Sequence, residues 1–142
     1  MATSAEDLEA YLRRLDRRFE KASEHTYLVS LGADKPPAVM RVAPPVVVVQ
    51  VDVAPAPSGN ATLEAKLFRR LLELNATDLL HVSYGIDKGR IQIDAALELD
   101  TLDIGELEAV LANIDLAVTE HVPVLHDIVK KGTAVPGGAG TT

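Results

Sequence analysis

Apolar and polar positions along the chain alternate with two different periods, and the change of period marks the elements. Leu8, Leu12, Leu15, Phe19 and Ala22 recur at steps of three and four, which predicts one amphipathic helix over about residues 4–24. Ser4 is placed to cap it, with Asp7 three residues on. Three strands are predicted next: Tyr27 to Leu31, Val39 to Val42 and Val46 to Val53. Val47, Val49, Val51 and Val53 share one face of the third, with Gln50 and Asp52 on the other. Pro44 and Pro45 predict an edge, a bulge or a bend before it.

A loop rich in Pro, Ser and Gly spans Ala54 to Asn60, and a second helix is predicted over Thr62 to Leu74, capped by Thr62. Leu63, Leu67, Leu71 and Leu74 make its main apolar line, and Phe68 and Leu72 widen it, so this helix should pack on two sides. Leu80, Val82, Tyr84 and Ile86 then alternate with polar residues, as do Ile91, Ile93, Ala95, Leu97 and Leu99. Asp87, Lys88 and Gly89 between them predict a hairpin turn, with Gly89 at positive φ. One face of that hairpin should be buried and the other wet. A last helix begins near Asp103, with Glu106 completing a capping box. It carries Leu107, Val110, Leu111, Ile114, Val118, Val122 and Leu125 at helical spacing, with a kink expected just before Pro123 and a stop at Gly132. The expected fold is α+β, an antiparallel sheet with helices packed on it, in the order α-β-β-β-α-β-β(-β)-α. Residues 1–131 form one domain, and 132–142 are expected to be a disordered tail.

Composition narrows the function. The 142 residues include no cysteine, which excludes a disulfide framework and thiolate metal sites. The amino terminus is polar and acidic, unlike a secretory leader, and no apolar run approaches a membrane span, so the expected location is the cytoplasm. The formal net charge of −7 disfavours nucleic acid. Arg13, Arg14, Arg17, Arg18 and Lys21 would make at most a local basic stripe on the first helix. No phosphate-binding loop, nucleophile motif or zinc-protease helix is present, so no catalytic, cofactor or metal residue is assigned. His121 and His126, five apart, lie about 140° from each other on a helix and read as surface residues. Asp94, Glu98, Asp100, Asp103 and Glu106 do not match a calcium loop and read as solvated or capping groups. Asn60 and Asn75 begin glycosylation triplets, which have no consequence without a leader.

From Leu67 to Ile114 the chain resembles the type III secretion chaperone-like fold, a group that includes the class I effector chaperones and YbjN-like proteins. The resemblance is carried by a Leu-rich helix ending in Leu-Glu-Leu-Asn at Asn75. It continues through the hairpin Tyr84-Gly85-Ile86-Asp87-Lys88-Gly89-Arg90-Ile91, Leu97-Glu98-Leu99-Asp100 and an acidic-capped final helix. It implies a homodimer that binds another protein, with Leu67, Phe68, Leu71 and Leu72 of the middle helix at the dimer interface. It also implies that outward apolar sheet residues, Val46 and Val48, hold an extended partner segment. A signalling or scaffold adaptor of roadblock-like α/β type is the alternative; that fold orders its strands two then three about the middle helix.

Overall fold

The computed structural model describes residues 5–133 of the chain. Six antiparallel strands form one sheet in the order β1-β2-β3-β4-β6-β5. They are β1 (Phe19–Ser23), β2 (Thr26–Val29), β3 (Ala38–Ala43), β4 (Val46–Pro55), β5 (Ser83–Asp87) and β6 (Arg90–Glu98). Helix α1 (Ala5–Arg14) precedes them, and α2 (Ala61–Thr77) separates β4 from β5. After β6, α3 (Ile104–Leu116) runs through a π-helical turn (Ala117–His121) into α4 (Val122–Thr133). The α+β class and antiparallel sheet agree with expectation.

One stretch differs. The helical periodicity through Ala22 does not continue as helix, because α1 stops at Arg14. Asp16 takes a left-handed conformation (φ 58°), Asp16 N–H donates to Arg13 O and Arg17 N–H to Leu12 O. That is a Schellman stop with Asp in the place glycine usually fills. Phe19–Ser23 then pairs with β2 as an edge strand. Leu15 and Phe19 still reach the core, one from a turn and one from a strand, which is why their spacing imitated a helix. The basic residues are therefore not one stripe. Arg13 pairs with Glu9, Arg17 with Asp115 of α3, and Lys21 lies on β1 over the Tyr27 ring.

The remaining elements follow the pattern closely. Pro44 and Pro45 form the tight bend between β3 and β4, joined by a cis peptide. Lys88 and Gly89 both have positive φ (52° and 76°), the signature of a type I′ hairpin turn. The Asp103–Glu106 capping box is present in both directions. Helix α2, however, starts at Ala61 and is capped by Asn60, whose Oδ1 accepts from Leu63 N–H at 3.0 Å, rather than by Thr62. Pro123 lacks the N–H an α-helix interior requires, and the π turn immediately before it absorbs the irregularity, so the rod stays continuous. Gly132 lies inside the last turn of α4 because the helix rests on Leu63 there; a Cβ at this position would collide with that side chain. The predicted Ser4 cap, and the predicted tail beyond Thr133, lie outside the described residues.

The core lies on one side of the sheet. Tyr27, Met40, Val47, Val49, Val51, Ile91 and Ile93 point to the same side as Leu8, Leu12, Leu67, Leu107, Leu111 and Ile114, in one continuous cluster. Tyr27 anchors one end, with its hydroxyl 2.6 Å from Glu9 Oε2. Burial, then the neighbouring Glu9, pushes its phenol up from 10.0 to about 12. An acid whose folded value lies above its unfolded one stabilises the fold below the unfolded value. Its contribution should therefore be complete below pH 10.0 and disappear as the pH rises towards about 12. Phenolate absorbance is expected to show a tyrosine ionising at about 12 that Tyr27→Phe removes, with stability falling over that same window; ionisation of Tyr27 at an ordinary value would show that neither its burial nor the Glu9 contact persists.

Candidate partner-docking surfaces

Two apolar surfaces stand out among the described residues once the core is accounted for. The first is a groove of about 250 Å³ between α2 and the edge strand β5, lined by Phe68, Leu71, Leu72, Asn75, Tyr84, Gly85 and Ile86. Leu72 is 68% exposed and Ile86 48% exposed, unusual values for large apolar side chains on regular elements. The four residues expected to face a second copy thus divide by helical geometry. Leu67 (0% exposed) and Leu71 (5%) point into the chain's own core, while half-buried Phe68 and exposed Leu72 point outward. Leu67 and Leu72 are five positions apart, about 140° around the helix.

The second surface is the helix-free face of the sheet. Register places Leu28 opposite Val39, Arg41 opposite Val48, Ala43 opposite Val46, and Val48 opposite Ala96. Residues directly opposite in an antiparallel pair share a face, so Leu28, Val39, Val46, Val48 and Ala96 make one apolar field. Val46 and Val48 are half-buried, by their strand neighbours, and stand apart from the core cluster. Polar residues rim the field: Arg41, Gln50, Asp94 and Glu98 lie on the same face. The acidic residues do not converge there: Asp94 accepts from Gln92, Glu98 from Thr101, and Asp103 and Glu106 are engaged in capping. Among the described residues no cluster of His, Asp and Glu has metal-ligating geometry.

Beneath the groove lies a polar chain, buried at Tyr84 and His121 and open to solvent at Asp78. His121, expected on the surface, is 6% exposed. Its Nδ1 is 3.2 Å from the Tyr84 hydroxyl and its Nε2 2.9 Å from Asp78 Oδ2. His121 stands seven positions after Ile114 and three after Val118, both buried, so helical spacing itself sets it on the inner face, within the π turn. Burial, then the Asp78 charge, pushes the Tyr84 phenol far above its ordinary range. A hydrogen bond from the Thr77 hydroxyl, then one from His121, holds the Asp78 carboxyl below its ordinary value. This chain ties the end of α2, the edge strand β5 and the π turn together. His126 is exposed, on a separate cavity of about 600 Å³ beside Pro55, Pro57 and Lys130. Among the described residues no helix is long and apolar enough to cross a membrane.

A model of the CesT_Tir_1 family matches residues 1–131. No curated protein matches the chain in sequence. Among solved structures, the fold is similar to a chain of the heterodimeric ExoU–SpcU complex from the type III secretion system of Pseudomonas aeruginosa. The TM-score is 0.66 at 20% identity, over 84% of this chain and 98% of that one. It is also similar to YbjN, a putative transcription regulator from E. coli, with TM-score 0.63 at 13% identity over 84% and 92%. An uncharacterized protein from Methanothermobacter thermautotrophicus gives 0.57 at 15% over 89% and 96%. At these identities the structural similarities establish the fold alone.

Proposed function

The chain belongs to the CesT_Tir_1 family of type III secretion chaperones, and from that premise we propose that it is a cytoplasmic, homodimeric, chaperone-like protein that holds an extended segment of a partner protein. The observation that carries this reading is the exposure of Leu72 and Ile86 beside Phe68, an apolar groove that the chain's own elements leave uncovered. A second copy would cover it, with Leu67 and Leu71 fixing α2 from below. The partner segment would lie on the helix-free face over Val46 and Val48, where alternating strand side chains offer shallow apolar contacts and Arg41, Asp94 and Glu98 set direction. The ExoU–SpcU complex, of similar fold, is itself a heterodimer in a type III secretion system. Membership of the family supports a protein-binding role. The roadblock-like alternative fits less well, because four strands precede the middle helix and two follow it.

Light scattering on the purified protein is the test. The expected mass is twice that of the 15.2 kDa chain. Leu72→Glu should give monomers whose unfolding at low protein concentration is little changed, since the residue lies outside the core. Val48→Asp should leave the dimer intact and weaken capture of the partner segment. A wild-type monomer that captures no protein through this face would overturn the proposal.

A further inference from the structure

Asn75 lies near the end of α2, with its side-chain amide alongside the backbone of Tyr84. Tyr84 N–H donates to Asn75 Oδ1 at 2.7 Å, and Asn75 Nδ2 donates to Tyr84 O at 3.1 Å. A carboxamide presents an acceptor and a donor side by side, as a peptide unit on a neighbouring strand does. In an antiparallel ladder the N–H and C=O of one residue point to the same side, alternately toward and away from a given neighbour. Those of Tyr84 are engaged by Asn75, so they point away from β6, and Tyr84 faces Ile93 as a non-hydrogen-bonded pair.

That side of β5 is an edge of the sheet. The strand covers only Ser83–Asp87 before the Lys88–Gly89 turn, so Tyr84 and Ile86 are the two residues whose backbone groups face outward. Beside this edge lie Phe68, Leu72 and Ile86, apolar side chains of the kind that accompany strand addition. Two copies of one edge strand can pair antiparallel about a two-fold axis, because such an interface needs only a self-complementary patch. An open β5 edge would therefore extend the sheet from copy to copy.

We propose that Asn75 acts as a built-in strand mimic that closes the β5 edge, so that a second copy of this chain docks in the α2–β5 groove through side chains and not by continuing the sheet. The occupant rests on the dimer reading above; the closed edge does not. With Tyr84 occupied, a strand arriving at β5 finds one outward residue, Ile86, which is too few for a ladder. The Tyr84 hydroxyl is also held, through His121 and Asp78, by the same end of α2, so the strand is fixed at both its backbone and its side-chain tip.

Amide hydrogen exchange and light scattering on Asn75→Ala test this in the full chain. Exchange at Tyr84 N–H should accelerate roughly tenfold, in line with the loss of one hydrogen bond. The variant should form species larger than the wild type that grow with concentration and show intermolecular sheet by infrared absorption. Adding Ile86→Lys should reverse the growth without restoring Tyr84 protection, because a charge on the edge opposes pairing. Asn75→Ser, polar but too short to engage both Tyr84 groups, serves if the alanine variant fails to fold. A folded variant with wild-type Tyr84 exchange, or with wild-type assembly at every concentration, overturns the closed edge. A monomeric wild type beside an assembling Asn75→Ala would refute the dimer and retain the closed edge. A dimeric wild type beside an unchanged variant would do the reverse.

Discussion

Leu67→Ala is expected to lower the unfolding free energy by about 2–5 kcal/mol, whereas Leu72→Ala on the same helix should change it by less than about 0.5 kcal/mol per chain at low protein concentration. Leu67 is fully buried among the inner-face strand residues, so truncation removes buried methyl groups and leaves a cavity that close-packed neighbours fill only in part. Leu72 is 68% exposed and has little to lose within one chain. Denaturant unfolding at several concentrations separates the two effects, because any contribution of a second copy scales with concentration and the core contribution does not. A Leu67→Ala cost below about 1 kcal/mol would mean that α2 does not present this face to the sheet.

The second large effect concerns His121. His121→Ala should cost roughly 3 kcal/mol, combining a cavity with the loss of the partner of a buried hydroxyl. Tyr84 is 6% exposed, so its hydroxyl cannot turn to water in place of the imidazole. The double variant with Tyr84→Phe should therefore be less destabilised than the two single variants summed, with a coupling of about 0.5–3 kcal/mol. Additive costs would show that the two side chains are not in contact. A pH signature accompanies this. The Asp78 carboxyl is held below its ordinary 3.8, first by Thr77 and then by His121. A depressed carboxylate stabilises the fold above its unfolded value, and that contribution is lost as the pH falls through the lower folded value. His121→Ala should flatten part of that acid limb, and Thr77→Ala a further part.

In β4, the Lys88–Gly89 hairpin and the final helix, sequence and structure agree. Val47, Val49 and Val51 of β4 lie inward as their alternation requires, because a strand buried on one face has a single register that hides them. The Lys88–Gly89 turn and the Asp103–Glu106 capping box are local chemistry, complete within four residues, and were equally legible. The docking surfaces were half legible. The apolar excess on α2 was visible, but the division of Leu67 and Leu71 from Phe68 and Leu72 depends on which face of α2 meets the sheet. Val46 and Val48 were recognisable as outward-facing, yet only the packing of every described helix on the opposite face leaves them uncovered.

By itself, the sequence determined the α+β class, the Lys88–Gly89 hairpin, the middle and final helices and the absence of thiol chemistry, since each follows from side-chain period, turn stereochemistry or composition. Only the tertiary structure decided that Phe19–Ser23 is a strand, because a left-handed Asp16 and pairing with β2 outweigh a helical spacing that both arrangements satisfy. It also gave His121 its partners, Tyr84 and Asp78, and brought Asn75 onto the backbone of Tyr84. These contacts join separate elements, and their partners are set by how helices cross the sheet, which local preference leaves free.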